Sequence, residues 1–168
     1  MKKALLLTLI LSLITVGIPF NVNAAEAVPA DVASGEYIEY FDGGYIVHSE
    51  AYGYDGADAY SISTSGPTRP ITKSADSNVY DNNNNLVAVF TLTATFTYNG
   101  STATCTDASY TTKIYDSNWK FTAASAEKAS NSAVGTYTVK KTFLFITQAS
   151  ANGKITMTCD RNGNVTVK

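Results

Sequence analysis

The sequence predicts an all-β protein, an antiparallel β-sandwich preceded by a β-hairpin extension. Three observations predict it. From Phe90 to Tyr98, apolar residues alternate with threonines, which is the period of a half-buried strand. Clusters of Asn, Asp and Gly recur between such runs, at Asp42-Gly43-Gly44, Asp81 to Asn85, Asn99-Gly100 and Asn162-Gly163-Asn164, as turns between short strands require. No segment carries an apolar stripe at helical spacing. Only 121–132 (FTAASAEKASNS) has the Ala, Glu and Lys content that would allow a helical turn.

In chain order, Met1 to Ala24 reads as a secretory signal peptide. Lys2 and Lys3 form a basic start, Leu5 to Phe20 an apolar run broken by Gly17 and Pro19, and Val22-Asn23-Ala24 a small-residue cleavage site. The expectation is a secreted, extracellular protein with no membrane insertion after signal cleavage. Without Lys2 and Lys3, the remaining 10 basic and 14 acidic residues give a net charge of −4. That balance argues against nucleic acid and an anionic membrane surface as partners. The remaining length of about 144 residues suits one domain.

Residues 25–35 read as an arm, and 36–50 as a hairpin in which Ile38 and Tyr40 match Tyr45 and Val47. Residues 51–69, rich in Gly, Ser, Tyr and Asp, read as a loop. The sequence therefore divides into the signal (1–24), the arm, hairpin and loop (25–70), and a sandwich domain (71–168). Within the last, strands are expected at 71–80, 86–98, 101–109, 111–122, 134–147, 153–159 and 164–168. The expected core comprises Phe90, Leu92, Phe96, Ile114, Trp119, Val139, Phe143, Phe145, Ile155, Met157 and Val165.

Two turns fix where the two cysteines point. A two-residue type I′ loop at Asn99-Gly100 sets Phe96 opposite Ala103 and Ala94 opposite Cys105. A three-residue loop with Gly163 left-handed sets Cys159 opposite Val165 and Met157 opposite Val167. Both cysteines then face the core, and in an exported chain a Cys105–Cys159 disulfide is expected. Its closed loop of more than fifty residues would be worth about 4 kcal/mol in the chain-entropy picture.

Cys105, then Trp119 on the next strand, then Cys159 on the penultimate strand, resembles the immunoglobulin pattern of a tryptophan packed on an inter-sheet disulfide. The expected sandwich is on that ground immunoglobulin-like, although Met157 stands where the pattern has its corner tyrosine. The runs VFTLTATFTYNGSTATCTDAS, YDSNWKF and ITMTCDRNGNVTV also resemble a group of small secreted proteins of Gram-positive gut bacteria, over roughly residues 71–168. That resemblance implies location and fold, and no catalytic residues.

The chemistry-bearing residues are sparse. His48 is the only histidine, no G-x-S-x-G elbow is present, and a residue at a hairpin end reads as an exposed spacer. Asp160-Arg161-Asn162-Gly163-Asn164 faintly echoes a calcium loop but lacks its twelfth-position glutamate. The expectation is no catalytic residue, no metal site and no cofactor. What folding does not absorb is tyrosine. Seven of the eleven lie between Tyr37 and Tyr80, and Tyr52, Tyr54 and Tyr60 sit in a Gly/Asp loop where rings can stack on a sugar or anchor a protein. The sequence thus points first to a non-catalytic binding module for a glycan or protein ligand. A self-associating cell-envelope protein pairing through threonine-rich strand edges comes second, and a small secreted hydrolase third.

Overall fold

The computed structural model describes residues 36–53, 61–63 and 66–168. The expected signal peptide and arm, and Tyr54 and Tyr60, lie outside them. Ten strands are described: β1 (Tyr37–Phe41), β2 (Gly44–His48), β3 (Ser61–Ser63), β4 (Gly66–Asp81), β5 (Leu86–Tyr98), β6 (Ala103–Ile114), β7 (Trp119–Ala129), β8 (Ser132–Phe143), β9 (Ile146–Cys159) and β10 (Val165–Val167). They form two antiparallel sheets packed together, β1-β2-β4-β5-β6 with β3 against β4, and β10-β9-β8-β7. The all-β sandwich is as expected.

Its topology is a meander. Within each sheet, and apart from β3, strands consecutive in sequence are hydrogen-bonded neighbours, and the chain crosses once between the sheets, from β6 to β7, so the Greek-key connections of an immunoglobulin sandwich are not found among the described residues. Nor does Trp119 sit over the cysteines. It packs edge-on against Phe41 at 6.2 Å and pairs with Lys141, whereas Cys159 lies toward the other end of β8, where Ser132 pairs with Thr158. The N-terminal hairpin forms with the expected pairs, Tyr40 with Tyr45 and Ile38 with Val47. It is part of the first sheet rather than an appendage, because β2 pairs along β4 from Gly44–Asp81 to His48–Ser77.

Alternation along β5 buries Phe90, Leu92, Ala94 and Phe96 and leaves Thr91, Thr93 and Thr95 facing out. The outward hydroxyls are not idle. Ser74 and Thr93 (2.8 Å) and Thr72 and Thr95 (2.9 Å) bond across β4 and β5, and Thr91 donates to Asp76 (2.6 Å). From the second sheet come Trp119, Tyr137, Val139, Ile155 and Met157, all buried. Tyr137 lies flat over its cross-strand neighbour Gly153, where an added Cβ would come within 2.1 Å of the ring. The glycine makes room for the aromatic.

Several expectations fail here. The β5–β6 loop is four residues long, with Tyr98 opposite Ala103 and Phe96 opposite Cys105. Asn99 is the cause, because its side-chain oxygen accepts from the amides of Ser101 (3.0 Å) and Thr102 (2.9 Å). That Asx turn displaces the two-residue loop, and the slip of two residues keeps Cys105 on the core face. The segment 121–132 is strand, not helix, and turns at Ser130-Asn131. Residues 134–147 are not one strand, since the chain reverses at Leu144-Phe145. Two expected core residues are exposed in consequence, Phe143 (58 %) and Phe145 (104 %), and Ile114 (37 %), at the end of edge strand β6, is exposed as well. The last hairpin is as expected, with Cys159 opposite Val165, Met157 opposite Val167 and Gly163 at φ 91°.

Cys105 and Cys159 are both buried and both free thiols, so the expected disulfide is not formed. They approach one turn from opposite sheets, the Cys105 amide donating to Ser130 O (2.7 Å) and the Cys159 amide to Asn131 O (3.0 Å). Each thiol donates to a nearby carbonyl instead of bonding the other, Cys105 to Asp107 and Cys159 to Asp160. Burial pushes both thiols up, Cys159 to about 11, which keeps them protonated and weakly reactive. Two thiols should therefore titrate in the unfolded, unreduced protein and stay silent in the folded one. A count of zero after unfolding would restore the disulfide.

Candidate functional site

His48 is not an exposed spacer. Along β2, Gly44, Ile46 and His48 share the inward face, and His48 is 0 % exposed. It pairs with Tyr37 on β1 and Ser77 on β4. Its ring stacks on that of Tyr37 at 4.2 Å, Ser77 Oγ lies 2.9 Å from Nδ1, and Glu39 Oε2 lies 3.6 Å from Nε2. Desolvation lowers the pKa of His48, and the Glu39 carboxylate only partly opposes it. The imidazole is thus neutral, with its proton best placed on Nε2 toward Glu39 and Nδ1 accepting from Ser77.

Serine, histidine and carboxylate in a row have the connectivity of a hydrolytic triad. A nucleophile also needs an approach path, and Ser77 is 0 % exposed. The cluster can hold strands β1, β2 and β4 together, but no substrate carbonyl reaches it. Tyr37 Oη, His48 Nε2 and Tyr137 Oη are buried without a hydrogen bond. Among the described residues no group of three His, Cys, Asp or Glu could hold a metal ion. The Asp160 turn is closed on itself, its carboxylate taking bonds from Asn162 N (2.8 Å), Asn164 N (2.9 Å) and Asn164 Nδ2 (2.8 Å).

Of the three loop tyrosines, Tyr52 can be described. It is 48 % exposed and tied to the outside of β4. Its backbone exchanges hydrogen bonds with Ser74 (2.8 and 2.7 Å), and its hydroxyl donates to the Asp76 carboxylate (3.0 Å). Burial, then the bond to Asp76, pushes its pKa up to about 12. The ring is held in place with one side open to solvent. Tyr52→Phe keeps the ring and drops an exposed bond, so it should lower stability by about 1 kcal/mol or less. A loss of several kcal/mol in a denaturant melt would mean that Tyr52 covers the sheet rather than presenting itself.

The largest apolar exposure lies elsewhere. Phe143 (58 %), Leu144 (73 %), Phe145 (104 %) and Ile146 (68 %) project from the turn between β8 and β9. Phe143 pairs with Ile146, which leaves Leu144-Phe145 as a two-residue loop. Both have positive φ, 46° and 67°, the geometry of a type I′ turn that favours Asn-Gly. Just behind the tip, Lys120 and Lys140 stand directly opposite each other on β7 and β8. With Thr122, Thr142, Leu144 and Phe145 they line an open groove of about 640 Å3. Like charges directly opposite are destabilising, and among the described residues neither lysine has an acidic partner within ion-pair distance.

Sequence reasoning missed this tip because FLFI looks like strand interior. The available signal was the lack of alternation, since four consecutive apolar residues fit neither face of a half-buried strand. No family model, curated protein or solved structure matches the chain.

Proposed function

We propose that this chain is an exported, non-catalytic binding module whose contact surface is the apolar tip between β8 and β9. The observation that carries the reading is the pair Leu144 and Phe145, two large apolar side chains in left-handed backbone and open to solvent. Each choice opposes stability and solubility, the first through steric crowding and the second through exposed apolar area. Residues held against local preference mark places where something other than stability is being served. Tyr52, also exposed, lies on the first sheet and adds a second contact.

The test is retention on cells of the producing organism. Labelled protein should be retained, and a Leu144→Asn/Phe145→Gly variant should be washed off. Equal retention of the two would sink the tip as the contact surface.

A further inference from the structure

We infer that the partner of the tip is a lipid bilayer surface carrying anionic headgroups, docked without any strand crossing it. This rests on the reading of the tip as a contact surface and names what it contacts. Three features order the groups along the axis of the hairpin. Leu144 and Phe145 are outermost, with Phe143 and Ile146 at their base and more than half exposed. One step back are Thr142 and Thr147, opposite each other, and two residues further along the outer face of β8 is Lys140, directly opposed to Lys120. The hydroxyl of Thr122 completes the groove they line.

That is the depth order of a membrane interface: apolar groups at the acyl boundary, then hydroxyls and cations at headgroup level. The shape agrees. Four side chains splaying from a two-residue turn make a convex point, with no flat area of the size a stable protein–protein interface needs. A bilayer accepts a convex apolar point and requires no complementary pocket. An anionic headgroup between Lys120 and Lys140 would also relieve their mutual repulsion.

Among the described residues no acid lies within ion-pair distance of either lysine, and Asp81 and Asp116 accept hydrogen bonds within their own turns. Asp81 accepts from the amides of Asn83 (2.9 Å) and Asn85 (3.0 Å). Asp116 accepts from the amide (2.9 Å) and Nδ2 (2.9 Å) of Asn118. Overall charge argued only against a general attraction to anionic surfaces. The tip is a local exception, and its hold on the membrane is mainly apolar.

The experiment is co-sedimentation of the protein, purified as released by the cells that make it, with phosphatidylcholine vesicles and with vesicles containing one-third phosphatidylglycerol. The protein should sediment with both and more tightly with the second. Leu144→Asn/Phe145→Gly, which should fold at least as well as the parent, should weaken both by roughly a hundred-fold. Lys120→Gln/Lys140→Gln should weaken binding to the anionic vesicles by about ten-fold and leave the neutral ones nearly unchanged. No sedimentation of the parent, or undiminished sedimentation of the tip variant, overturns the inference. So does a mass in solution that doubles with concentration and returns to monomer in the tip variant, which would make a second copy the occupant. Tip-dependent retention on cells without vesicle binding would overturn the lipid partner and leave the binding-module reading standing.

Discussion

Replacing His48 with alanine should destabilise the fold by about 3 kcal/mol, the sum of a buried cavity and a broken polar contact. The imidazole is 0 % exposed, so its removal leaves a hole that β1, β2 and β4 close only in part. Ser77 Oγ loses its partner at 2.9 Å and Tyr37 the ring stacked on it at 4.2 Å. The same change should flatten the response to acid. Burial holds the folded-state pKa of His48 below its ordinary value. Below about pH 6.5 the unfolded chain therefore binds a proton that the folded one refuses. Stability is complete above that pH and falls as pH drops toward the folded-state pKa, by up to about 1.4 kcal/mol per pH unit. Denaturant melts at pH 7.5, 6.5 and 5.5 should show the decline in the parent and its loss in His48→Ala. An equal decline in both would show that another group titrates.

Leu144→Asn/Phe145→Gly should raise stability by about 1–2 kcal/mol, although it removes two large apolar side chains. A left-handed backbone costs an ordinary L-residue roughly 1–2 kcal/mol, and two such residues stand side by side. Asn-Gly takes the same turn without that crowding, less about 0.5–1 kcal/mol for the added freedom of glycine in the unfolded chain. Almost nothing is lost from the core, because Phe145 is 104 % exposed and Leu144 73 %. The midpoint of a thermal melt should rise by about 3–6 °C. A fall would mean that the two side chains are packed against something, and the exposed tip would no longer be a sound basis for a contact surface.

How far the candidate site could be read in advance differs residue by residue. Tyr52 was legible as an exposed ring because the Gly- and Asp-rich stretch around it offers no apolar alternation. Its bond to Asp76 was not, since those residues meet only once the backbone of Tyr52 bridges to β4. His48 shares parity with Ile46, a sign of burial that its place at a strand end obscured. Leu144 and Phe145 gave no turn signal at all, because the reversal uses residues that turns ordinarily exclude.

By itself the sequence determined the all-β class, the faces of β5, the register of β9 on β10 and the inward direction of both cysteines. These follow from side-chain period and from turn residues such as Gly163, which act over a few positions. The tertiary structure alone decided that the N-terminal hairpin extends the first sheet, that His48 meets Ser77 in the interior and the exposed Glu39 at its rim, that the two thiols bond to carbonyls rather than to each other, and that FLFI forms a tip. Each depends on which strands pair and where the sheet ends, set by hydrogen bonds between residues far apart in the chain. Local pattern gives a strand two faces; only the assembled sheets say which face meets a neighbour and which end meets solvent.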